Sequence, residues 1–235
     1  DREDAASQGE KRRLLDFADQ SMATMRLVAD VCVGAFFSAE SDREREKERL
    51  RRMDLCWAWL QGDEGLEPTL RGMAEEVRSS QAPFHWVLEF PEVFFDGRKD
   101  PLAKWKAHPG ACMDAVVGNP PFAGKNTITD ANGAGYLDWL KALHPGAHGN
   151  GDYSAHFFRR ASLLMGDHGA FGLIATNTIA QGDTRETGLA SMVASGWTIF
   201  DATNSMPWPG AAAVTVSVVH AAKGTPAVQT SRLLD

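Results

Sequence analysis

A short apolar run that ends in two consecutive prolines is the feature of this sequence that most restricts its fold. Residues 114–118 read Asp-Ala-Val-Val-Gly, and Asn119, Pro120, Pro121 and Phe122 follow at once. The run has the length and composition of a buried strand. Because each proline fixes φ and lacks an N–H, the strand must stop there and a stiff loop must begin. Open α/β sheets bind their ligands in loops of this kind, at the carboxyl ends of strands.

Strand and helix signals alternate around this loop. Apolar runs predict strands at 84–95, 170–176, 197–202 and 213–222. Amphipathic patterns predict helices at 136–143, at 152–165 with Asp152 as the cap, and at 183–195 behind a capping box at 183–186. The alternation predicts an α/β fold, and the unbroken apolar character of the strands predicts a sheet that is covered on both faces.

Residues 1–80 differ in composition from the rest of the chain. They hold 13 basic and 18 acidic residues, whereas residues 81–235 hold 11 and 13. Helical spacing of apolar residues predicts a helix over 11–37, and a capping box at 41–44 predicts the start of a second. A third helix is predicted around 69–79. We therefore expect a highly charged helical segment at 1–80 and a separate packed segment at 81–235.

Composition excludes several classes of protein. The net charge of −7 argues against a nucleic-acid binder whose whole surface is basic, and no apolar run is long enough to cross a membrane. The three cysteines, Cys32, Cys56 and Cys112, are far apart, which argues against a disulfide scaffold and favours a reducing, cytoplasmic location. The prolines and glycines between His144 and His156 break any helix that could align these histidines, so no metal site is expected.

The proline loop is suited to bind an amino group attached to an aromatic ring. The side-chain carbonyl of Asn119 and the main-chain carbonyl of Pro120 can each accept one hydrogen of such an amine. Accepting both hydrogens pushes the nitrogen lone pair out of conjugation and toward an electrophile. Phe122 can stack on the ring, and stacking of a base on an aromatic side chain is worth about 1–3 kcal/mol. That is comparable with the few kcal/mol needed to flip a base out of a duplex.

The sequence DAVVGNPPF resembles motif IV of the adenine-N6-specific DNA methyltransferases that use S-adenosyl-L-methionine. The upstream FHWVLEFPEVF and the downstream FGLIATNTIAQGDTRE and MPWPGAAAVTVSVV are similar to flanking segments of these enzymes. The nearest groups are the phage-defence methyltransferases of DISARM-type, type IIG and BREX systems. The resemblance implies a partial Rossmann-like methyltransferase fold with an N-terminal helical insertion.

The resemblance also implies roles for individual residues. Asn119 and Pro120 would accept the target amine, Pro121 would stiffen the loop, and Phe122 would stack on the flipped adenine. The remaining residues that it assigns are Trp208 and Asn177 in the base pocket, and Phe157 and Glu89 at the cofactor. Phe158 competes with Phe157, because the turn expected at 166–169 leaves the register uncertain by one.

The implied reaction transfers a methyl group directly from S-adenosyl-L-methionine to adenine N6 in double-stranded DNA, with no metal. The biological context would be restriction-modification or phage-defence self-marking, possible partners being other subunits of the defence system. The family's glycine-rich cofactor loop, DPxxGxG, does not occur in this sequence. Since that motif precedes motif IV in the family, we expect it upstream of residue 1 and expect the chain to be a fragment.

Two alternative functions stay open at this point. A similar proline turn serves methyltransferases that act on a glutamine side chain of a protein, and RNA is a further possible substrate. The chain could also be a non-catalytic fragment or an interaction module, since it lacks the cofactor loop.

Overall fold

The computed structural model describes residues 2–94, 99–100, 106–107, 112–208, 214–224 and 232–234. The chain forms two units, Asp1–Pro91 and Glu92–Asp235. The first is helical and the second is built on a five-stranded mixed sheet. The α/β architecture with a helical N-terminal part is therefore confirmed, although the units divide at Pro91 and the sequence suggested residue 80.

The helical unit begins with a long helix, α1. Its helices are α1 (Arg2–Phe37), α2 (Asp42–Leu60) and α3 (Glu67–Gln81), with a 3-10 turn at Glu64–Leu66. All three predicted helices are confirmed. In the part of the chain that is described, no helix combines the length and the apolar character that a membrane span requires.

The capping box predicts the start of α2 correctly. Ser41 is the N-cap, with extended backbone angles, and its hydroxyl oxygen accepts from the N–H of Glu44 at 3.4 Å. The hydroxyl in turn donates to the Glu44 carboxylate at 2.9 Å. The first of these bonds satisfies one of the backbone donors that the first turn of a helix leaves without an intrahelical partner.

Charged pairs one turn apart cover the surface of α2. Arg49 binds Glu46, and both Arg51 and Arg52 bind Glu48. The hydrogen bond from Arg51, with help from Arg52, lowers the pKa of Glu48 to about 2. Such pairs each contribute a few tenths of a kcal/mol to a helix.

A buried aspartate ties α1 to the rest of the helical unit. Asp30 is 3% exposed. Its carboxylate accepts from Arg78 in α3 at 2.6 Å and lies 2.7 Å from Nε2 of His85. A buried carboxylate needs such partners, because leaving it without them would cost several kcal/mol.

The prediction of a strand at 84–95 is wrong. Residues 86–94 form two short helices, α4 (Trp86–Glu89) and α5 (Pro91–Phe94), and Phe95 lies outside the described residues. The rings of Phe84 and Phe90 are 6.1 Å apart and both contact Trp86. An extended strand would separate Phe84 from Phe90 by about 20 Å. The aromatic residues therefore cluster with each other on a folded segment, and Pro91 starts α5, where its missing N–H costs nothing.

Beyond α5, the described residues of the second unit form seven strands and five helices, and the proline loop lies between β3 and α6. Its elements are β1 (Lys99–Asp100), β2 (Lys106–Ala107), β3 (Met113–Gly118), α6 (Lys125–Asn132), α7 (Tyr136–Leu143), α8 (Tyr153–Leu164), β4 (Met165–Thr176), α9 (Gly182–Arg185), α10 (Ser191–Ala194), β5 (Trp197–Pro207), β6 (Thr215–Lys223) and β7 (Arg232–Leu234). A 3-10 turn at Asn177–Ala180 follows β4, and a π-helical turn at Glu186–Ala190 joins α9 to α10.

The main sheet has the strand order β3-β4-β6-β5-β7. β3 pairs parallel to β4, β6 runs antiparallel to both β4 and β5, and β7 pairs parallel to β5. The turn expected at 166–169 lies instead within β4. There it forms a bulge, because Met165 pairs with Met113 while Ala170 pairs with Ala115.

One face of the sheet carries the core of this unit. Phe158 of α8 is fully buried and its ring packs edge-on against Phe171 of β4, which also contacts Trp197 of β5. Met192 of α10 belongs to the same cluster. Val117 of β3, whose side chain points away from this core, is 87% exposed. The expectation that the strands are covered on both faces is therefore wrong for β3.

The helix predicted at 183–195 exists but starts differently. It begins at Gly182 with Gln181 as the N-cap, and neither Asp183 nor any other side chain caps it. The Asp183 carboxylate instead accepts from the side chain of Asn150 at 3.1 Å. A Cβ added at Gly188 in the π turn would lie 3.1 Å from the Cβ of Ala155, so glycine allows this turn to approach α8 closely.

Two buried histidines contact each other between α7 and α8. The Nδ1 atoms of His144 and His156 are 2.9 Å apart, and each residue is 2% exposed. One Nδ1 must donate and the other accept, so the accepting ring must be neutral and the two rings cannot both be protonated. Burial lowers the pKa of both histidines; His156, Arg159 and Arg160 lower that of His144 further, and Arg159 that of His156.

Acidification is expected to destabilise the protein through this pair. The folded-state pKa values lie below the unfolded value of about 6.5, so the unfolded chain binds more protons once the pH falls below 6.5. Each histidine that stays neutral in the fold then lowers the free energy of unfolding by about 2 kcal/mol at pH 5 relative to pH 7. Urea titrations at the two pH values measure the loss. The matched variant with His144→Leu and His156→Leu should lose less on acidification, and an equal loss in both proteins would contradict this account.

Candidate functional site

The carboxyl ends of β3 and β4 meet at one edge of the sheet. The strands are parallel, with Gly118 at the end of β3 paired to Leu173, and β4 continues to Thr176. Asn119 follows the first strand and Asn177 follows the second. The structure thus brings these two predicted site residues to the same edge of the sheet. Since Gly118 pairs with Leu173, Asn177 lies one strand spacing across from Asn119 and about 10 Å farther along.

Trp208 reaches the same edge through two antiparallel pairings. Thr176 of β4 pairs with Val216 of β6, and Thr215 of β6 pairs with Pro207 of β5. The end of β5 therefore lies at the edge where β3 and β4 end, and the N–H of Trp208 donates to the carbonyl of Val214 at 2.9 Å. Three strand spacings, about 14 Å, separate β5 from β3. Pro209, which follows Trp208 in the sequence, lies outside the described residues.

The proline loop alternates exposed and buried residues. Asn119 and Pro121 are exposed, Pro120 is buried and Phe122 is half-buried. In the described part of the chain no group hydrogen-bonds the side-chain amide of Asn119. The loop therefore offers a polar side chain and part of an aromatic ring to solvent on a backbone fixed by two prolines.

The first residue of α8 makes a hydrogen bond to the end of this loop. The N–H of Tyr153 donates to the carbonyl of Ala123, the residue after Phe122, at 2.7 Å. Asp152 is the N-cap of α8, as predicted, and its carboxylate accepts from the N–H of Ser154 at 2.9 Å and from its hydroxyl at 2.7 Å.

Phe157 and Phe158 have different environments. Phe158 is fully buried in the core, whereas Phe157 is half-buried and its ring lies 5.0 Å from that of Tyr153, edge to face. The Tyr153 hydroxyl lies 2.7 Å from the hydroxyl of Tyr136 in α7. Of the two phenylalanines, Phe157 is the one that remains accessible near the loop. Sequence reasoning missed both tyrosines, because a glycine-rich loop between α7 and α8 hides their proximity.

Two threonines anchor the segment that leads into α8. The hydroxyl oxygen of Thr187 accepts from the N–H of His148 at 2.9 Å, and that of Thr184 accepts from the N–H of Asp152 at 3.1 Å. Thr187 is fully buried. A Cβ at Gly151 would lie 3.0 Å from Oγ1 of Thr187, which shows how closely the segment approaches this helix. The π-helical turn carrying Thr187 thus supports the start of α8.

Glu89, predicted at the cofactor, lies in the helical unit. Its two carboxylate oxygens accept from Nε and Nη2 of Arg26 at 2.9 and 3.1 Å. The same hydrogen bonds raise the pKa of Arg26. The carboxylate of Glu89 is therefore already bound within its own unit.

The histidines near the loop do not converge. His148 lies 3.1 Å from the carboxylate of Glu186, while His144 and His156 contact each other. Among the described residues, no three His, Cys, Asp or Glu side chains form a group that could hold a metal ion.

Comparison with known proteins connects this edge of the sheet to a family. Residues 96–234 match the family described as MmeI, DNA-methyltransferase domain. That range includes the proline loop, α8 and all five strands of the main sheet. Among curated proteins, none matches the sequence significantly.

One solved structure that the chain resembles is that of the type IIL restriction-modification enzyme MmeI in complex with DNA. It aligns with a TM-score of 0.41 and 22% sequence identity. The alignment covers 49% of this chain and 16% of that chain, so the present sequence spans a small part of that protein.

The support of α8 by Thr187 can be tested on its own. In Thr187→Val, a side chain of similar size no longer accepts from the N–H of His148, and the loss of one such hydrogen bond costs about 0.5–1.5 kcal/mol. Amide exchange of His148 should then be about tenfold faster. Thr187→Ser retains the hydroxyl and should retain the protection, and unchanged exchange in the valine variant would contradict the assignment.

Proposed function

The chain belongs to the MmeI DNA-methyltransferase domain family, and from that premise we propose that it carries the catalytic loop of an adenine-N6-specific DNA methyltransferase. The observation that supports this most directly is the position of the loop. Asn119-Pro120-Pro121-Phe122 lies at the carboxyl end of β3, inside the matched range and beside the end of a parallel strand. Ligands of open α/β sheets bind at this edge.

The proposed chemistry rests on two acceptors with fixed directions. The Asn119 side-chain carbonyl and the Pro120 main-chain carbonyl accept the two hydrogens of adenine N6. Accepting both hydrogens frees the nitrogen lone pair for attack and stabilises the positive charge that develops on nitrogen. Because Pro120 and Pro121 restrict the backbone, the acceptors need little reorganisation when the base arrives.

Aromatic residues at the same edge would hold the flipped base. Phe122 stacks on adenine, and the half-exposed position of its ring fits that role. Trp208 forms a second wall, and Asn177 supplies a polar group at the neighbouring strand end. Since Trp208 is about three strand spacings from β3, its indole would reach the far edge of the base pocket.

S-adenosyl-L-methionine, when bound, supplies an electrophilic methyl group on a sulfonium. Phe157 fits a contact with the cofactor's planar ring system, because it is half-buried and its orientation is fixed by Tyr153. The cofactor contact predicted for Glu89 stays a prediction, and in this structure its carboxylate accepts from Arg26. The reaction itself needs no metal, since positioning and the two acceptors carry it.

The proposed substrate is double-stranded DNA with a flipped adenine, in restriction-modification or phage-defence self-marking. The net charge of residues 81–235 is −2, so most of the negative charge of the chain lies in the helical part. The flipped base is recognised by stacking and hydrogen bonds, which do not require a basic surface on this segment.

Replacing Asn119 tests the proposal. In the enzyme as encoded, Asn119→Ala is expected to lower kcat for methyl transfer to DNA by at least about 100-fold, by analogy with the loss of one oxyanion-hole group. Transfer of a labelled methyl group measures the rate. The matched variant Asn126→Ala removes another exposed asparagine, in α6, and should keep full activity. Since Asn119 is exposed, both variants should unfold within about 0.5 kcal/mol of the parent. Near-normal transfer by Asn119→Ala would refute the assignment.

A substrate panel separates DNA from the alternative substrates. The enzyme, with labelled S-adenosyl-L-methionine, is offered duplex DNA, RNA and a glutamine-containing protein substrate. Transfer to DNA alone supports the proposal. Transfer to RNA or to glutamine supports one of the alternatives, and transfer to none of the three supports a non-catalytic role.

A further inference from the structure

We propose that Tyr153 is a positioning residue that holds the catalytic loop and Phe157 in a fixed relation to each other. The inference rests on the proposed function. Tyr153 acts through its main-chain N–H on the loop and through its ring on Phe157. The target amine and the cofactor ring would therefore be aligned by a single residue at the start of α8.

The main chain of Tyr153 controls the position of the loop. Its N–H donates to the carbonyl of Ala123 at 2.7 Å, and Ala123 follows Phe122 directly. The prolines stiffen the loop internally but do not determine where its far end lies. The hydrogen bond fixes that end against the first residue of α8.

The side chain of Tyr153 controls Phe157. The rings meet edge to face, with centroids 5.0 Å apart at 67°. The Tyr153 ring is held in turn by its hydroxyl, 2.7 Å from that of Tyr136. Burial raises the pKa of Tyr153, followed by the hydrogen bond with Tyr136, so the hydroxyl stays neutral and can take part in this bond.

The base of this arrangement is rigid. Ser154 and Ala155, the next residues of α8, are fully buried. The preceding residue, Asp152, caps α8 and donates its own N–H to Thr184 at 3.1 Å. The residues on either side of Tyr153 therefore fix its position, and the end of the loop can move only if the hydrogen bond between Tyr153 and Ala123 breaks.

Loss of this bond should affect the chemical step more than folding. The acceptors Asn119 and Pro120 lie at one end of the loop and Ala123 at the other. Methyl transfer requires an in-line approach with the reacting atoms about 3 Å apart, and a misplacement of about 1 Å can cost 100-fold in rate.

Proline at position 153 provides the test, because Tyr153 is the first residue of its helix. Proline is well tolerated there, and Asp152 has the extended angles, φ −67° and ψ 148°, that a residue before proline needs. Tyr153→Pro removes the N–H and places a ring carbon toward Ala123. Tyr153→Ala is the matched control, since it also loses the phenol but keeps the N–H.

The two variants should differ in kcat. In the enzyme as encoded, Tyr153→Ala is expected to raise KM for S-adenosyl-L-methionine severalfold, because Phe157 loses its neighbour, with kcat within about tenfold of the parent. Tyr153→Pro is expected to have the same KM for S-adenosyl-L-methionine as Tyr153→Ala. Its kcat is expected to be about 100-fold lower than that of Tyr153→Ala. Tyr153→Phe, which keeps the ring and the N–H, should restore kcat. Equal kcat values for the proline and alanine variants would overturn the proposal.

If the proline variant does not fold, the hydrogen bond can be removed by replacing the peptide bond between residues 152 and 153 with an ester. Incorporating 3-(4-hydroxyphenyl)lactic acid there by in vitro translation replaces the N–H with oxygen and keeps the whole side chain. We expect kcat to fall at least tenfold with KM for the cofactor unchanged, and an unchanged kcat would overturn the role of the hydrogen bond. An inactive parent enzyme would instead count against the proposed function.

Discussion

The parallel pairing of β3 with β4 is the interaction on which the site depends. It brings two strand ends to one edge of the sheet, and Asn119 and Asn177 follow those ends. The antiparallel hairpin of β5 and β6 then returns the chain to the same edge and delivers Trp208 there. Residues separated by about ninety positions in sequence reach the same edge of the sheet because of strand direction and register. The core that Phe158, Phe171 and Trp197 form on the helix-covered face keeps this register in place.

Support for the proline loop comes from the helices and not from the sheet alone. The bond from Tyr153 fixes the end of the loop, and Thr184 and Thr187 hold the segment that precedes Tyr153. The π-helical turn gains its close approach to α8 from Gly188. A surface loop that is bound in this way has little freedom to move, which suits a site whose catalysis rests on geometry.

Local signals predicted much of this structure. The apolar run before two prolines, the capping residues Ser41 and Asp152, and the amphipathic pattern of α7 all gave elements that the structure contains. The strand expected at 84–95 failed because aromatic residues favour strands and mutual clusters alike, and composition does not distinguish the two. The contacts of Tyr136 with Tyr153 and of His144 with His156 cross glycine- and proline-rich loops, so nothing local signals them. Composition shows that residues 1–80 are highly charged but not that Asp30 and Arg52 are buried, because tertiary packing decides which charges are covered.

The base that receives the methyl group is the most direct test of the central claim. DNA methylated by the encoded enzyme with labelled S-adenosyl-L-methionine can be digested to nucleosides and separated by mass spectrometry. The proposed role of Asn119 and Pro120 predicts that the label is found on N6-methyladenine. Label on the C5 carbon of cytosine, or on any position other than an exocyclic adenine amine, would contradict it.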